Sequence, residues 1–321
     1  MIVICGIPSE PPIAAVTDAL GDLGLPHTVL NQRHFLDTPL DLEVDGTRVR
    51  GRLRADGRSV DCSTVTGIYT RLMDWHVLPE VRETTDADET LRRCQSWHDV
   101  LGSWIEIAPG CVMNRTAATA TNQSKPYQAQ LIRRAGFAVP ETLVTDDPGL
   151  VRDFRAQHGR LIYKSISAVR SVVHFLDDEA LDRLPLVRHC PVQFQRYVPG
   201  TNVRVHAVAG ELFATRIETD RVDYRYAHRD GGRAELTPWP LPDELAERCT
   251  ALVTRLGLTL AGIDLLLADD GEVYCFEVNP SPAFNFFEAH TGQPIARAVA
   301  LALARGDGGP PVSRPAVPSV P

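Results

Sequence analysis

The sequence predicts a mixed α/β (α+β) protein whose N-terminus opens a parallel sheet. Three observations carry this. Ile2 to Cys5 is a short unbroken apolar run, read as a buried strand. Ile13 to Leu23 has helical spacing and is ended by Gly24, and His27 to Leu30 is a second strand. Strand, helix, strand in that order is a βαβ start, which implies parallel pairing. With 321 residues the chain is long enough for two or three lobes around an extended core.

The remaining elements follow in order. Residues 37 to 66 alternate between turn signals, as in short hairpins. Gly67 to Arg71 reads as a strand running into a loop of functional character. Residues 86 to 106 form an amphipathic helix with Trp97, Leu101 and Trp104 on one side, read as core packing. Residues 1–111 are taken as the first domain. A second, 112–194, holds a helix that opens at Lys125 behind the capping candidates Asn122 and Ser124 and ends at Gly136. A strand (Glu141 to Thr145), a helix (Pro148 to Gln157) and a strand (Leu161 to Lys164) complete it. A third domain, 195–305, opens with strands at 192–198, 203–209 and 211–218, then a helix at 243–256, a hairpin and a helix at 293–304. Residues 306–321 are rich in Gly, Pro and Ser without periodicity and are expected to be a disordered tail.

Composition excludes several classes. The net charge of −8 argues against a general nucleic-acid or membrane-surface binder. No apolar run approaches the ~20 residues a membrane helix needs. The N-terminus lacks the basic start and long apolar stretch of a signal peptide. The seven cysteines are scattered singly, which fits reduced thiols in a cytoplasmic protein and excludes a Cys-x-x-Cys zinc knuckle. The loop Gly6 to Pro12 is not a dinucleotide fingerprint, and no Gly-x-x-x-x-Gly-Lys-Ser/Thr run is present.

Of the 33 basic residues only Lys125 and Lys164 are lysines; the rest are arginine. The plain reading of a lysine is a solvated surface charge. Here arginine fills the generic cation positions, and a compact ammonium on a flexible stem suits a phosphate oxygen.

The stretch from Leu260 to Asn279 reads as two strands about Asp270-Gly271, a dipeptide that favours two-residue hairpin turns. Counting outward from that turn sets Asp264 opposite Glu277, with Asn279 two residues on and facing the same way. The other face then carries Ile263, Leu265, Leu267, Tyr274, Phe276 and Val278. The carboxylate face also carries Leu266, Ala268, Val273 and Cys275, so it is half apolar. Opposed carboxylates repel. Either the face is solvated, or the pair shares a cation; two carboxylates and an amide oxygen are hard ligands that suit magnesium held with phosphates.

These residues resemble the ATP-grasp superfamily. Asp264 with Glu277-Val278-Asn279-Pro280 is similar to its metal signature, which implies that Asp264, Glu277 and Asn279 hold one or two magnesium ions (manganese being an acceptable substitute) against ATP. Lys125 and Lys164 resemble the two phosphate-contacting lysines. Gln195-Arg196-Tyr197-Val198 resembles the hinge strand that holds adenine through backbone groups. Asn202 falls at the ribose contact, Asn202-Val203-Arg204 resembles an Asp-Ile-Arg triplet, and Arg216 matches a later arginine near the acyl-phosphate. The resemblance covers residues 112–305 and implies a pre-ATP-grasp domain before it, with ATP held between two α+β lobes. Met113-Asn114-Arg115, the stretch from Gln130-Leu131 to Thr142-Leu143-Val144-Thr145, and Asp223-Tyr224-Arg225 are more similar to peptide macrocyclases; the Gly-Gly in Tyr226 to Gly232 is more similar to ribosomal-protein glutamate ligases.

The chain departs from the family at three points. The loop after Lys164, Ser165 to Ser171, has no glycine; Asn202 replaces a carboxylate; Arg196 replaces an acid beside the hinge. The resemblance implies a carboxylate–amine ligase working through an acyl-phosphate, with Arg204 and Arg216 facing the reacting groups. The implied substrate is a peptide or amino acid, a precursor peptide being one form; no nucleic-acid or membrane partner is expected, and a homodimer stays open. A second class also stays open, a catalytically silent ATP-binding protein that recruits a peptide partner. His206, His228 and His290 are read as structural or solvated.

Overall fold

Ile2 to Gly6 is buried at every position, because a strand flanked by parallel neighbours is covered on both faces. The computed structural model describes residues 1–46, 48–84, 87–166, 172–219 and 234–306. In it β1 (Ile2–Gly6) leads into α1 (Pro11–Asp22), which opens on Pro11 and Pro12, where the missing N–H groups cost the helix nothing. After β2 (His27–Asn31) come β3 (Leu40–Asp45), β4 (Arg48–Ala55) and β5 (Arg58–Asp61), an antiparallel sheet. Next are β6 (Gly67–Arg71), α2 (Ala87–Ile107) and β7 (Cys111–Met113). The expected parallel sheet has the order β2-β1-β6-β7. Leu101 and Trp104 are buried in the core beneath it, with Trp97 packed alongside, as the helical pattern predicts.

The chain continues through α3 (Lys125–Arg134), β8 (Thr142–Thr145), α4 (Pro148–His158), β9 (Leu161–Ser165), β10 (His174–Phe175) and β11 (Val192–Arg196). These strands form a sheet of order β10-β9-β11-β8. The strand carrying Gln195 and Arg196 thus goes with the elements of 142–175. Ser124 stands at the N-cap of α3, but its side chain makes no capping hydrogen bond.

The third sheet has the order β14-β13-β12-β15-β16. It is built from β12 (Gly200–Val208), β13 (Glu211–Thr219), β14 (Ala234–Pro238), β15 (Leu260–Ala268) and β16 (Val273–Asn279). One face packs on α5 (Asp243–Arg255) through Leu245, Cys249, Leu252 and Val253. After α6 (Asn285–Thr291), α7 (Ile295–Arg305) is buried at Ile295, Ala296, Ala298, Val299, Ala300, Ala302 and Leu303. A helix apolar nearly all round is a helix covered from several sides. Its residues share one core with β1, α1, Val208 and Leu260, so it joins the first sheet to the third.

The β15–β16 hairpin corrects two details of the sequence reading. The loop has three residues, Asp269 to Gly271, closed by Ala268 N–H to Glu272 O and Gly271 N–H to Ala268 O. Gly271 alone takes the positive φ, at 89°. Leu265 therefore pairs with Cys275 and Leu266 with Tyr274. A bulge then leaves Phe276 unpaired and returns Asp264 to Glu277, Ile263 to Val278 and Gly262 to Asn279. The expected opposition is present, but the faces differ. Val273 and Cys275 join the core with α5, whereas Tyr274 and Phe276 cluster with Leu266 and Val198 on the other side.

Candidate metal and nucleotide site

Pairing of β12 with β15 sets Arg204 across from Asp264, and pairing of β15 with β16 sets Asp264 across from Glu277. Strand alternation gathers Asn202, Arg204, Asp264, Glu277 and Asn279 on one face. Arg204 Nη1 donates to Asp264 Oδ1 at 2.5 Å. Lys125, at the first turn of α3, brings Nζ to 3.6 Å from Glu277 Oε2. The Arg204 side chain is 9% exposed, against 30% for Asp264 and 28% for Glu277. The two carboxylates thus open onto solvent while each is neutralised from the protein side.

Arg204 lies in a fitted slot. A Cβ on Gly262 would stand 2.9 Å from Arg204 Cζ and 2.8 Å from Pro282 Cβ, so glycine is required there by close approach. The Phe287 ring centroid lies 5.5 Å from Arg204 Cζ. His206, two residues along β12, packs edge-on against the same ring at 4.8 Å. It is fully buried, and neither ring nitrogen has a hydrogen-bond partner. Burial, and then the Arg204 charge, hold its imidazole well below the usual histidine range, so the ring is neutral.

Two buried amides that sequence reasoning assigned no role hold β15 and β16 in place. Gln128, one turn after Lys125, donates to Val278 O at 2.8 Å and accepts from Val278 N–H at 3.0 Å. It grips β16 between Glu277 and Asn279. Asn114 donates to Leu260 O and Pro280 O, both at 2.6 Å, and accepts from Thr259 and Leu260 N–H. The available signal was spacing: Lys125, Gln128 and Ile132 share one helix face, and a glutamine on a face that buries Ile132 needs partners.

The second sheet supplies another surface. Lys164 pairs with Gln193 and Ile162 with Gln195, so these four side chains share a face opposite the core of Leu161, Tyr163 and Phe194. Gln195 is buried and donates to Thr142 Oγ1 at 3.0 Å. In the hinge stretch, Arg196 N–H bonds Glu141 O and Tyr197 N–H bonds Arg160 O, each at 2.9 Å. A base held along this stretch therefore has to use its other backbone groups. Val198 is buried against Leu266 and Tyr274. The Arg196 side chain bonds Glu141 Oε2 at 2.6 Å and Tyr274 Oη at 2.8 Å. The Arg196 guanidinium is thus neutralised by Glu141.

Arg216 is not brought to this site. It pairs with Val203, so it lies on the face opposite Arg204 and Asp264, with Nε 3.3 Å from Glu218 Oε1. The reason is strand alternation: Thr215, not Arg216, is the cross-strand partner of Arg204. The loop residues 167–171, Asp223-Tyr224-Arg225, Tyr226 to Gly232, His228 and the tail 307–321 lie outside the described residues.

The donor set fits a hard cation. Asn279 Oδ1 accepts from Ser281 N–H at 2.9 Å, which fixes which end of that amide is oxygen. Among the described residues no three His, Cys, Asp or Glu side chains form a metal cluster. Two carboxylates and one amide oxygen suit magnesium that completes its shell with water and phosphate oxygens.

Comparison with known proteins gives the family. The ATP-grasp domain model matches residues 123–283, half of the chain, and the chain belongs to the ATP-grasp family. A probable alpha-L-glutamate ligase of Aliivibrio salmonicida is 25% identical over 195 residues, 57% of this chain and 64% of that protein. A probable alpha-L-glutamate ligase of Pseudomonas aeruginosa (strain UCBPP-PA14) is 26% identical over 219 residues, 63% of this chain and 69% of the relative. The ATP-grasp ligase PsnB, solved with a phosphomimetic variant of its minimal precursor, Mg and ADP, superposes with a TM-score of 0.77 at 26% identity, covering 95% of this chain and 98% of PsnB. The macrocyclase MdnC of Microcystis aeruginosa MRC, bound with precursor peptide MdnA, has the same fold, with a TM-score of 0.78 at 22% identity over 94% and 99% of the two chains. No helix among the described residues is long and apolar enough to cross a membrane.

Proposed function

We propose that this protein is an ATP- and magnesium-dependent carboxylate–amine ligase that acts on a peptide through an acyl-phosphate. The carrying observation is the meeting of Arg204, Asp264, Glu277 and Lys125 on one sheet face, two cations and two carboxylates that can trade partners when phosphates arrive. Asp264, Glu277 and Asn279 would hold magnesium, which when bound neutralises charge on the phosphoryl groups. Lys125 and Lys164 bind phosphate oxygens, and the hinge from Gln195 to Val198 seats the base with Asn202 toward the ribose. Arg204 turns from Asp264 to the transferring phosphoryl group. A substrate carboxylate oxygen attacks the terminal phosphorus, and ADP departs. An amine nitrogen, or a hydroxyl oxygen, then attacks the acyl carbon; it loses its proton as inorganic phosphate leaves, and the new amide or ester remains. Catalysis here is positioning and electrostatics, in which one donor is worth about 10²–10³ in rate. Arg216 has no part in it.

A peptide substrate is favoured because PsnB and MdnC, solved with precursor peptides, match this chain nearly end to end. The test incubates the protein with ATP, magnesium and acidic candidate peptides, following ADP release and peptide mass. Loss of one water from a single peptide indicates macrocyclisation, and gain of an amino-acid residue indicates extension. If an Asp264→Ala, Glu277→Ala protein turns over ATP as the wild type does, the ligase reading is wrong. If ATP binds and no peptide changes mass, the silent-binder class replaces it.

A further inference from the structure

The loop that follows Asn279 is held from outside its own sheet. Arg71 ends β6, and its Nη1 donates to Ser281 O at 3.0 Å, Ser281 Oγ at 2.8 Å and Pro282 O at 3.1 Å. The other edge of the same guanidinium is fixed by Glu10, with Nε at 2.9 Å and Nη2 at 2.6 Å from Oε1. The Arg71 side chain is 12% exposed. Glu10 sits in the loop after β1, so both residues project from the carboxyl edge of the parallel sheet, where open α/β sheets place their working groups. Asn114 follows β7, the neighbour of β6, and grips Pro280 O on the other side of the same loop.

From these contacts we infer that Arg71 is a positioning residue for the metal site, acting on Asn279 through Ser281 and on Arg204 through Pro282. Ser281 presents its N–H to Asn279 Oδ1 while Arg71 holds Ser281 O and Oγ, so the turn that aims the amide oxygen is clamped at both ends. Pro282 walls the slot of Arg204 at Gly262, and Arg71 holds Pro282 O. The planar fork matters: one edge takes the carboxylate while the third nitrogen spans three acceptors, which a lysine ammonium cannot reproduce. The first domain thereby supplies the outer support of a site whose donors all come from the third sheet.

The inference rests on the metal assignment made above, and the test separates the two. Binding of a fluorescent ATP analogue is measured against magnesium concentration for the wild type, Arg71→Met, Arg71→Lys and Glu10→Gln, with unfolding followed alongside. Loss of an outer support of this kind raises the required metal by about tenfold. For Arg71→Met and Arg71→Lys, the half-saturating magnesium should rise by that factor while metal-free nucleotide affinity stays within about twofold. Glu10→Gln keeps the neutral hydrogen bond but weakens the anchor, so its shift should be smaller and in the same direction. A folded Arg71→Lys or Glu10→Gln protein with the wild-type magnesium dependence overturns the inference even if Arg71→Met does not fold. Wild-type nucleotide binding that ignores magnesium overturns the metal assignment instead.

Discussion

Arg204 and Asp264 are cross-strand partners whose side chains meet at 2.5 Å, Nη1 to Oδ1, with the arginine almost wholly buried. Lys125, at the start of α3, brings a second cation to Glu277, with Nζ 3.6 Å from Oε2. Each carboxylate of the pair therefore has a protein cation beside it, and a metal ion arriving alone must compete with both. Metal binding to the nucleotide-free protein should accordingly be weak. Removing either cation should tighten it about tenfold, or ~1.4 kcal/mol. Manganese titrations followed by electron paramagnetic resonance on Arg204→Met and Lys125→Ala check this; affinities equal to wild type would show that the pairs do not guard the site.

Gly262 tests the slot. An added methyl at this position must displace the guanidinium of Arg204 or the ring of Pro282. Gly262→Ala should lower kcat by about 10- to 100-fold, the effect of misplacing a catalytic group by ~1 Å. Nucleotide affinity should change little, since Gly262 faces Asn279 and not the hinge. Steady-state kinetics beside direct binding make the distinction, and a parallel loss of both would point to general unfolding of the sheet.

Gln128 tests the strand. Gln128→Leu keeps an apolar filler but leaves Val278 N–H and C=O buried without their partner. At about 1–3 kcal/mol for each unsatisfied group, stability should fall by roughly 2–6 kcal/mol. Urea unfolding would read this directly, and a loss well under 1 kcal/mol would mean that β16 does not need the clamp.

His206 makes an opposite prediction. Its two ring nitrogens are buried without partners, so His206→Leu removes a cost of about 1–3 kcal/mol and should raise Tm. Burial, reinforced by Arg204, depresses the folded pKa, while the unfolded chain titrates near 6.5. The unfolded state then binds the extra proton first as pH falls. The contribution to stability is complete above about pH 6.5 and is lost toward the depressed folded value, by up to about 1.4 kcal/mol per pH unit. Unfolding curves between pH 7 and 5 should therefore be flatter for His206→Leu than for the wild type.

Much of the site was legible in residue order because its spacing is local. Two strands around an Asp-Gly turn bring Asp264 and Glu277 together by counting, and the scarcity of lysine drew attention to Lys125. The count succeeded although its turn was wrong. Asp56-Gly57 between β4 and β5 does form the tight turn, with both φ values positive, whereas Asp270-Gly271 belongs to a three-residue loop. The longer loop and the bulge at Phe276 shift the register in opposite senses and cancel at Asp264. Nothing in a dipeptide distinguishes these cases, because the bulge is set by packing on each side of the sheet. Arg216 shows a related limit: its resemblance to a later family arginine says nothing of the face it takes, and pairing with Val203 sets it opposite Arg204.

The sequence by itself determined the strands, the long helices and the opposed carboxylates, since period and turn residues act over a few residues. Only the tertiary structure decided how these are held. The grip of Gln128 on Val278, of Asn114 on Pro280, and of Arg71 on Ser281 and Pro282 joins residues far apart in the chain, through backbone groups that every residue carries alike. A backbone acceptor leaves no mark in the sequence, so the support of the proposed metal site becomes visible only when the sheets are assembled.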